Sequence, residues 1–284
     1  MIRLSTVLRL GIERPELERL VRNCAALGIH TICGATQLEW SDEAVMALRR
    51  YLDAAGLRIG ELSRFHYGLA SADPEAHRAA LEAYRRHLAH AAILGATCVG
   101  FSFSGLYNRP DVRSPEVWDR CVRATEALAR AAEEAGIDIA AHPHLIGPLY
   151  SAERLRQLLA AVASPRVKVL LDPVNLVTPD TYFDTTALVH SLFDMLGTHV
   201  VAVHAKDVSI SGLRRNERGR LSVCHLDEAL PGEGVLDYAT LLRRLHSLSQ
   251  DVVLNVEHLA SLEEAHVALA FVRSVASQVN VPLV

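Results

Sequence analysis

Four short apolar runs in this chain each close on a residue that can bind a metal ion. They are Ile137-Asp138-Ile139-Ala140-Ala141-His142, Val167-Lys168-Val169-Leu170-Leu171-Asp172, Val200-Val201-Ala202-Val203-His204 and Val252-Val253-Leu254-Asn255-Val256-Glu257. The first three closures lie about thirty residues apart, the size of one strand-helix unit. Imidazole mixed with carboxylate suits Mn, Co, Fe or Zn better than Mg. A divalent ion held by His142, Asp172, His204 and Glu257 would grip vicinal oxygens of a substrate and polarise its carbonyl, acidifying the adjacent C–H. Mn is the first choice, with Co, Zn, Fe or Mg as alternatives. Taken singly, each residue also has a structural reading: Asp172 as a turn cap before Pro173, His204 as a satisfied core imidazole, Glu257 as the partner of a nearby cation. Their recurrence at the ends of consecutive strand-like runs favours a shared site.

Other polar residues follow the same run ends. Asn175, three residues after Asp172, can donate to and accept from a polyol. Lys206 could stabilise a developing enolate oxygen or simply pair with Asp207. His144, two residues past His142, is a candidate proton carrier, and Glu257 a candidate base. With Asn175, His66 and Asp207 complete the set of candidate substrate contacts.

The elements that must position these residues alternate between two periods. Apolar runs start at Ile2, Ile29, Leu57 and Thr97, ahead of the four that carry the candidate ligands. The four that carry the candidate ligands are largely β-branched or apolar on both faces, as strands buried on both sides of a parallel sheet must be. Helical stretches follow each run, with starts such as Ser41-Asp42-Glu43, Ser114-Pro115-Glu116 and Ser151-Ala152-Glu153, and stops at Gly28, Gly56, Gly95 and Gly136. Eight strand-helix pairs in strict alternation predict a single closed (β/α)8 barrel, the TIM-barrel architecture, spanning residues 1–284 as one domain. Such a barrel gathers the four closures at its C-terminal face. No G-x-G-x-x-G follows any strand, which argues against a dinucleotide fold. One connection is long, from Asp207 to about Val235 after the seventh strand. It reads as a small hairpin over the barrel mouth, turning within 214–225.

At 284 residues, 50% hydrophobic and 22% charged, the chain has the make-up of a soluble globular protein. Its net charge of -4 gives no footprint for nucleic acid or anionic membrane. No apolar segment reaches the roughly 18 residues of a membrane span, and no signal peptide precedes the first strand. Five cysteines, odd in number and without a C-x-x-C pair, fit a reduced cytoplasmic setting. Apolar barrel helices and the tail Val279-Asn280-Val281-Pro282-Leu283-Val284 are compatible with a homo-oligomer.

Asp172-Pro173-Val174-Asn175, His204-Ala205-Lys206-Asp207, Pro231-Gly232-Glu233-Gly234-Val235-Leu236-Asp237-Tyr238 and Glu257-His258 together resemble the xylose isomerase-like sugar isomerase and epimerase superfamily. The resemblance covers most of the chain, with its specific motifs in the second half. It implies a (β/α)8 barrel holding one divalent ion through Glu, Asp, His and Glu from strands five to eight. Asp172, His204 and Glu257 match three of those ligands. In ketose 3-epimerases of the group, the two Glu ligands also shuttle the proton on opposite faces of the substrate. This chain departs at strand five, where His142 stands in place of Glu. A ligated imidazole offers no base at its coordinated nitrogen, so a two-carboxylate epimerisation loses one partner. His142 unligated, or His144 beside it, can substitute as a base with a pKa near working pH.

The expected function is therefore metal-dependent proton transfer next to a carbonyl of a small sugar or polyol-derived substrate, as in an isomerase or epimerase. The same carbanion leads to a dehydratase or lyase acting on a keto-sugar or keto-inositol by one-base elimination. A non-catalytic or subunit role with a degenerate metal site is the third reading. Hydrolysis of nucleic acid, as in the related apurinic-site endonucleases, is disfavoured by the acidic chain.

Overall fold

The computed structural model describes residues 1–284 except 211, 213, 214, 216 and 222–224. The turn expected within 214–225 falls in part on those positions and to that extent lies outside the described residues. Eight parallel strands close into a barrel: β1 (Ile2–Val7), β2 (Thr31–Gly34), β3 (Arg58–Ser63), β4 (Cys98–Phe101), β5 (Asp138–Ala141), β6 (Val167–Leu171), β7 (Val200–Ala205) and β10 (Val252–Val256). They pair in sequence order, with β10 returning to β1 through Ile2↔Val252 to Thr6↔Val256. Eight helices surround them: α1 (Arg14–Leu27), α2 (Asp42–Ala54), α3 (Pro74–Leu94), α4 (Pro115–Ala135), α5 (Ala152–Val162), α6 (Thr185–Leu196), α7 (Tyr238–His246) and α8 (Leu262–Gln278). The barrel is a (β/α)8 TIM barrel, as the alternation predicts. After β7 the chain forms β8 (Asp207–Ile210) and β9 (Leu226–Ala229), antiparallel to each other and outside the barrel sheet.

Local chemistry sets the helix bounds. Ser41, Ser114, Ser151 and Ser261 each accept a backbone N–H in the first turn of the helix they precede. Gly28, Gly95 and Gly136 close α1, α3 and α4 in the left-handed conformation. Helix α7 starts at Tyr238, because the Asp237 side chain caps it by accepting from Thr240 N–H. The preceding turn is fastened instead to Asp207. That carboxylate accepts from the backbone of Val208 (2.9 Å), Gly232 (3.0 Å) and Leu236 (2.9 Å). A Cβ on Gly234 would lie 2.3 Å from Asp207 Oδ1, so only glycine fits this approach.

Most of the core lies between barrel and helices, where strand residues such as Ile32, Leu62, Val99 and Leu171 meet the helices' apolar faces. A second, small cluster of Cys33, Cys98, Ala140, Leu170, Ala202 and Val253 is contributed by six different barrel strands and packs separately from the first. This is the barrel interior, and it fixes the parity of every strand. Side chains alternate, so the residue two positions on from Ala140, Leu170 or Ala202 also points inward. Those residues are His142, Asp172 and His204. Asn255 and Glu257 continue the inward series from Val253.

Helix α3 brings His87 and His90 against Thr36, and all three are buried. His90 Nε2 donates to the Trp40 carbonyl (3.2 Å), so in the neutral ring Nδ1 accepts from the Thr36 hydroxyl (2.9 Å). That hydroxyl then accepts from His87 Nδ1 (3.1 Å), leaving His87 Nε2 a buried lone pair without a partner. Burial, reinforced by His66, His90 and Arg64, lowers the His87 pKa to about 3. Burial also lowers His66 and His90. At these three histidines the unfolded chain therefore binds more protons than the native state below about pH 6.5, and their contribution to stability falls as pH drops from there toward 3. Urea unfolding should show a loss of a few kcal/mol between about pH 6.5 and 4, with a shallower slope in His87→Gln. Equal slopes in the two proteins would contradict the neutral-imidazole assignment.

Candidate active site

Strands β5, β6 and β7 deliver His142, Asp172 and His204 to one point at the C-terminal mouth. Ligand atoms from these three buried side chains lie within 4.8 Å of one another. Asp172 is divided between two tasks. Oδ1 accepts from Asn175 N–H (3.0 Å), while Oδ2 faces His142 Nε2 (3.3 Å) and Lys206 Nζ (3.1 Å). Burial opposes ionisation of Asp172, but Lys206, His142 and His204 outweigh it and hold the carboxyl well below its ordinary range. Asn175 Nδ2 approaches the Pro143 carbonyl (3.2 Å) and His142 Nε2 (3.3 Å), and the His142 ring stacks on Phe65.

His204 is gripped by a residue that sequence reasoning missed. Its Nε2 donates to the two oxygens of Glu61, at 3.2 and 3.1 Å. Glu61 lies in the middle of β3 and is 1% exposed. Glycine at position 100 on the neighbouring strand makes room for it, since a Cβ there would fall 3.1 Å from Glu61 Oε1 and closer still to Ser63 Oγ. The Ser63 hydroxyl donates to the same carboxylate. One sequence signal existed, a Glu deep in the strand-like run Leu57–Leu62, whose other charged residue, Arg58, stands at its start. It sat away from a strand end, where the ligand pattern directs attention.

On its other side, His204 Nδ1 lies 3.0 Å from Glu257 Oε2, within ion-pair distance but off the line of a hydrogen bond. Burial disfavours the imidazolium form, yet Glu61 and Glu257 overcome it and raise the His204 pKa well above its usual value. Glu257 itself is held below its ordinary range: His204 first, then Lys206, outweigh burial and the nearby Asp172 charge. Lys206, two residues beyond His204 on the same face, places Nζ 3.3 Å from Glu257 Oε1 and 2.6 Å from Glu228 Oε1. Glu228 comes from β9 and was not anticipated. It also meets His258 Nδ1 at 2.5 Å, and that bond, with Lys206 adding to it against burial, lowers Glu228 to about 2. The same bond raises the His258 pKa against burial. His258 adopts φ +58°, a conformation few non-glycine residues hold, and it turns the ring back toward Glu228 and Glu257.

Two adjoining cavities open on this group. One, of about 210 Å³, is lined by Tyr107, His144, Asn175, Lys206, Glu228 and Glu257 among others. The second, also about 210 Å³, shares His204, Glu257 and His258 and reaches inward to Glu61, Cys33 and Asn255. Both lie below the usual drug-sized range and suit a small substrate. His144 Nδ1 accepts from Ile146 N–H (3.3 Å), so the neutral ring carries its proton on Nε2. Burial lowers its pKa and keeps it neutral, which makes it a hydrogen-bond donor rather than a base. His66 lies off both cavities, stacked on His87 and edge-on to Tyr84. Asp207 also lies off them, with its carboxylate occupied by three backbone amides.

The donor set fits a divalent ion. His142 Nδ1 and His204 Nδ1 are buried without hydrogen-bond partners, and ionised Asp172 faces the same two rings through Oδ2. Glu61 on the far nitrogen of His204 is the outer partner that orients a ligating imidazole. An ion at His204 Nδ1 would displace the proton that nitrogen otherwise carries.

The family model for the xylose isomerase-like TIM barrel matches residues 16–275, and the chain belongs to that family. Among its relatives is an inosose dehydratase of Geobacillus thermodenitrificans, 25% identical over 209 residues, covering 70% of this chain and 68% of that protein. Among solved structures, an L-ribulose 3-epimerase superposes with TM-score 0.75 at 17% identity, over 99% of this chain and 96% of its own. The IolI protein with a bound zinc atom superposes with TM-score 0.70 at 16% identity, over 98% and 97%. The barrel is thus one on which several sugar and polyol chemistries are built.

Removing Glu61 should leave the His204 Nε2–H without an acceptor and its charge matched by Glu257 alone. Glu61→Leu is expected to lower stability by about 3–5 kcal/mol in urea unfolding, and Glu61→Gln by less, since the amide keeps an acceptor for Nε2. Near-wild-type stability in Glu61→Leu would show that the pair carries little.

Proposed function

We propose that this protein is an enzyme that moves a proton at the carbon next to the carbonyl of a small sugar or polyol-derived substrate, in an isomerisation or epimerisation assisted by a divalent ion. The observation that carries this reading is Glu257, an ionised, buried carboxylate lining both cavities beside a set of residues that fits a metal ion. A divalent ion held by His142, Asp172 and His204, with Glu257 adjoining, would act as a Lewis acid on vicinal substrate oxygens. Mn, Co, Zn, Fe and Mg are all compatible with the donors, with mixed N and O ligation favouring Mn.

Glu257 takes the proton from carbon and returns it to the neighbouring carbon, while the proton of the hydroxyl that becomes the new carbonyl passes to the former carbonyl oxygen. His144 Nε2–H faces the developing oxyanion as a neutral donor. Asn175 has its amide nitrogen engaged with Pro143 and His142, which leaves Oδ1 to accept from a substrate hydroxyl. Lys206 has all three donors directed at carboxylates, so without the ion its part is to match the charges of Glu257 and Asp172 rather than to exchange protons. With one carboxylate base the geometry favours transfer on a single face.

Dehydration is the second reading, and one contact favours it. His258 Nε2 stands 3.7 Å from Glu257 Oε1, and its raised pKa makes it an acid beside the base. Glu257 would remove the proton α to the carbonyl while His258 protonates the departing β-hydroxyl, which leaves as water. The relation to an inosose dehydratase supports the same alternative.

Both readings predict exchange of a substrate C–H with solvent. In D2O, with ketoses, inososes and added Mn(II), the wild type should incorporate deuterium next to the carbonyl, and Glu257→Gln should do so about 10²–10⁴-fold more slowly. Loss of water, seen by mass, marks dehydration; its absence with exchange marks isomerisation. No exchange on any substrate of the panel would overturn the proposal.

A further inference from the structure

Two kinds of cation have a claim on the same carboxylate oxygens. Asp172 Oδ2 is the atom that faces His142 Nε2 (3.3 Å) and His204 Nδ1 (4.0 Å), yet it already pairs with Lys206 Nζ at 3.1 Å. Oδ1 is not free to replace it, because it accepts from Asn175 N–H. Glu257 is divided likewise, with Oε1 3.3 Å from Nζ and Oε2 3.0 Å from His204 Nδ1. The third donor of Lys206 ends on Glu228, at 2.6 Å. Lys206 has a side chain 3% exposed, whereas Glu228 is 45% exposed at the hairpin. Of the three carboxylates, Glu228 is therefore the one placed to follow the ammonium outward.

We propose that Lys206 is a built-in counter-ion that competes with the divalent ion for Asp172 and Glu257, so that metal uptake requires its ammonium to withdraw toward Glu228. This rests on the metal-assisted reading of the same site and adds to it an exchange of cations. An ammonium and a divalent ion sharing one carboxylate oxygen in a buried mouth repel each other strongly. The Glu228 partner keeps the ammonium compensated as it moves, which a buried charge requires. Without an ion, the same lysine keeps two buried carboxylates from facing each other unmatched.

Calorimetric titration with Mn(II) and Zn(II), and melting with and without the ion, test the exchange in wild type, Lys206→Gln, Lys206→Met and Lys206→Arg. The two uncharged variants should bind the ion at least about tenfold more tightly than wild type, and Lys206→Arg no more tightly. Ion-free Lys206→Gln and Lys206→Met should melt below wild type and gain more on adding the ion. Glu228→Gln should weaken binding in wild type and have a smaller effect in the Lys206→Gln background, since the two residues act together. Equal affinity in wild type and both uncharged variants overturns the exchange and leaves the metal site standing. Binding by the variants alone supports the exchange but removes the ion from the wild-type reaction. Binding by none overturns both, and an undiminished Glu228→Gln effect in the Lys206→Gln background overturns withdrawal toward Glu228.

Discussion

An ionised carboxylate taken out of water costs several kcal/mol unless its charge is matched, and the barrel mouth holds three of them. Glu61, Asp172 and Glu257 are exposed by 1%, 0% and 8% respectively. Their compensation comes chiefly from His204 near the end of β7 and Lys206 just past it, placed two residues apart so that both point inward. His204 stands between Glu61 and Glu257, and Lys206 between Asp172, Glu257 and Glu228. The small residues of the interior layer, the glycine at position 100 and the stacking of Phe65 on His142 all make room for this arrangement. An assembly so dependent on charge matching is sensitive to any cation that enters it.

The barrel was legible because two periods and their capping residues agree along the whole chain. Serine caps and glycine stops place most helix ends within a residue or two, and eight alternations leave little choice of topology. The proximity of His142, Asp172 and His204 was legible for the same reason, since a strand end in a closed barrel is also a point in space. Glu61 was not legible, because its position within β3 carries no motif and its importance comes from a neighbour 143 residues away. Glu228 and His258 were hidden differently. One arrives through an insertion whose register follows no periodicity, and the other through a left-handed backbone turn. Asp207 read as a substrate contact because it follows Lys206, but alternation turns it away from the cavity into the turn that carries Gly232 and Gly234.

His142 changes the charge of the site more than its shape. An imidazole in place of a carboxylate leaves Asp172 and Glu257 as the negative charges nearest the candidate ion, with Lys206 already between them. The same cavity is lined by the carboxylate of Glu257 and by His144, an imidazole whose pKa burial lowers. That asymmetry suits a proton moved on one face, or an elimination with acid and base side by side at His258 and Glu257. The fold accommodates either chemistry, and the distinction rests with these few residues.

The account stands on an ion occupying the space among His142, Asp172 and His204. Its most direct measurement is an anomalous difference map from crystals grown with saturating Mn(II). The account predicts one peak at the mouth, about 2.0–2.3 Å from Asp172 Oδ2, His204 Nδ1 and a nitrogen of His142. A mouth without a peak, or a peak touching none of these three side chains, would contradict it.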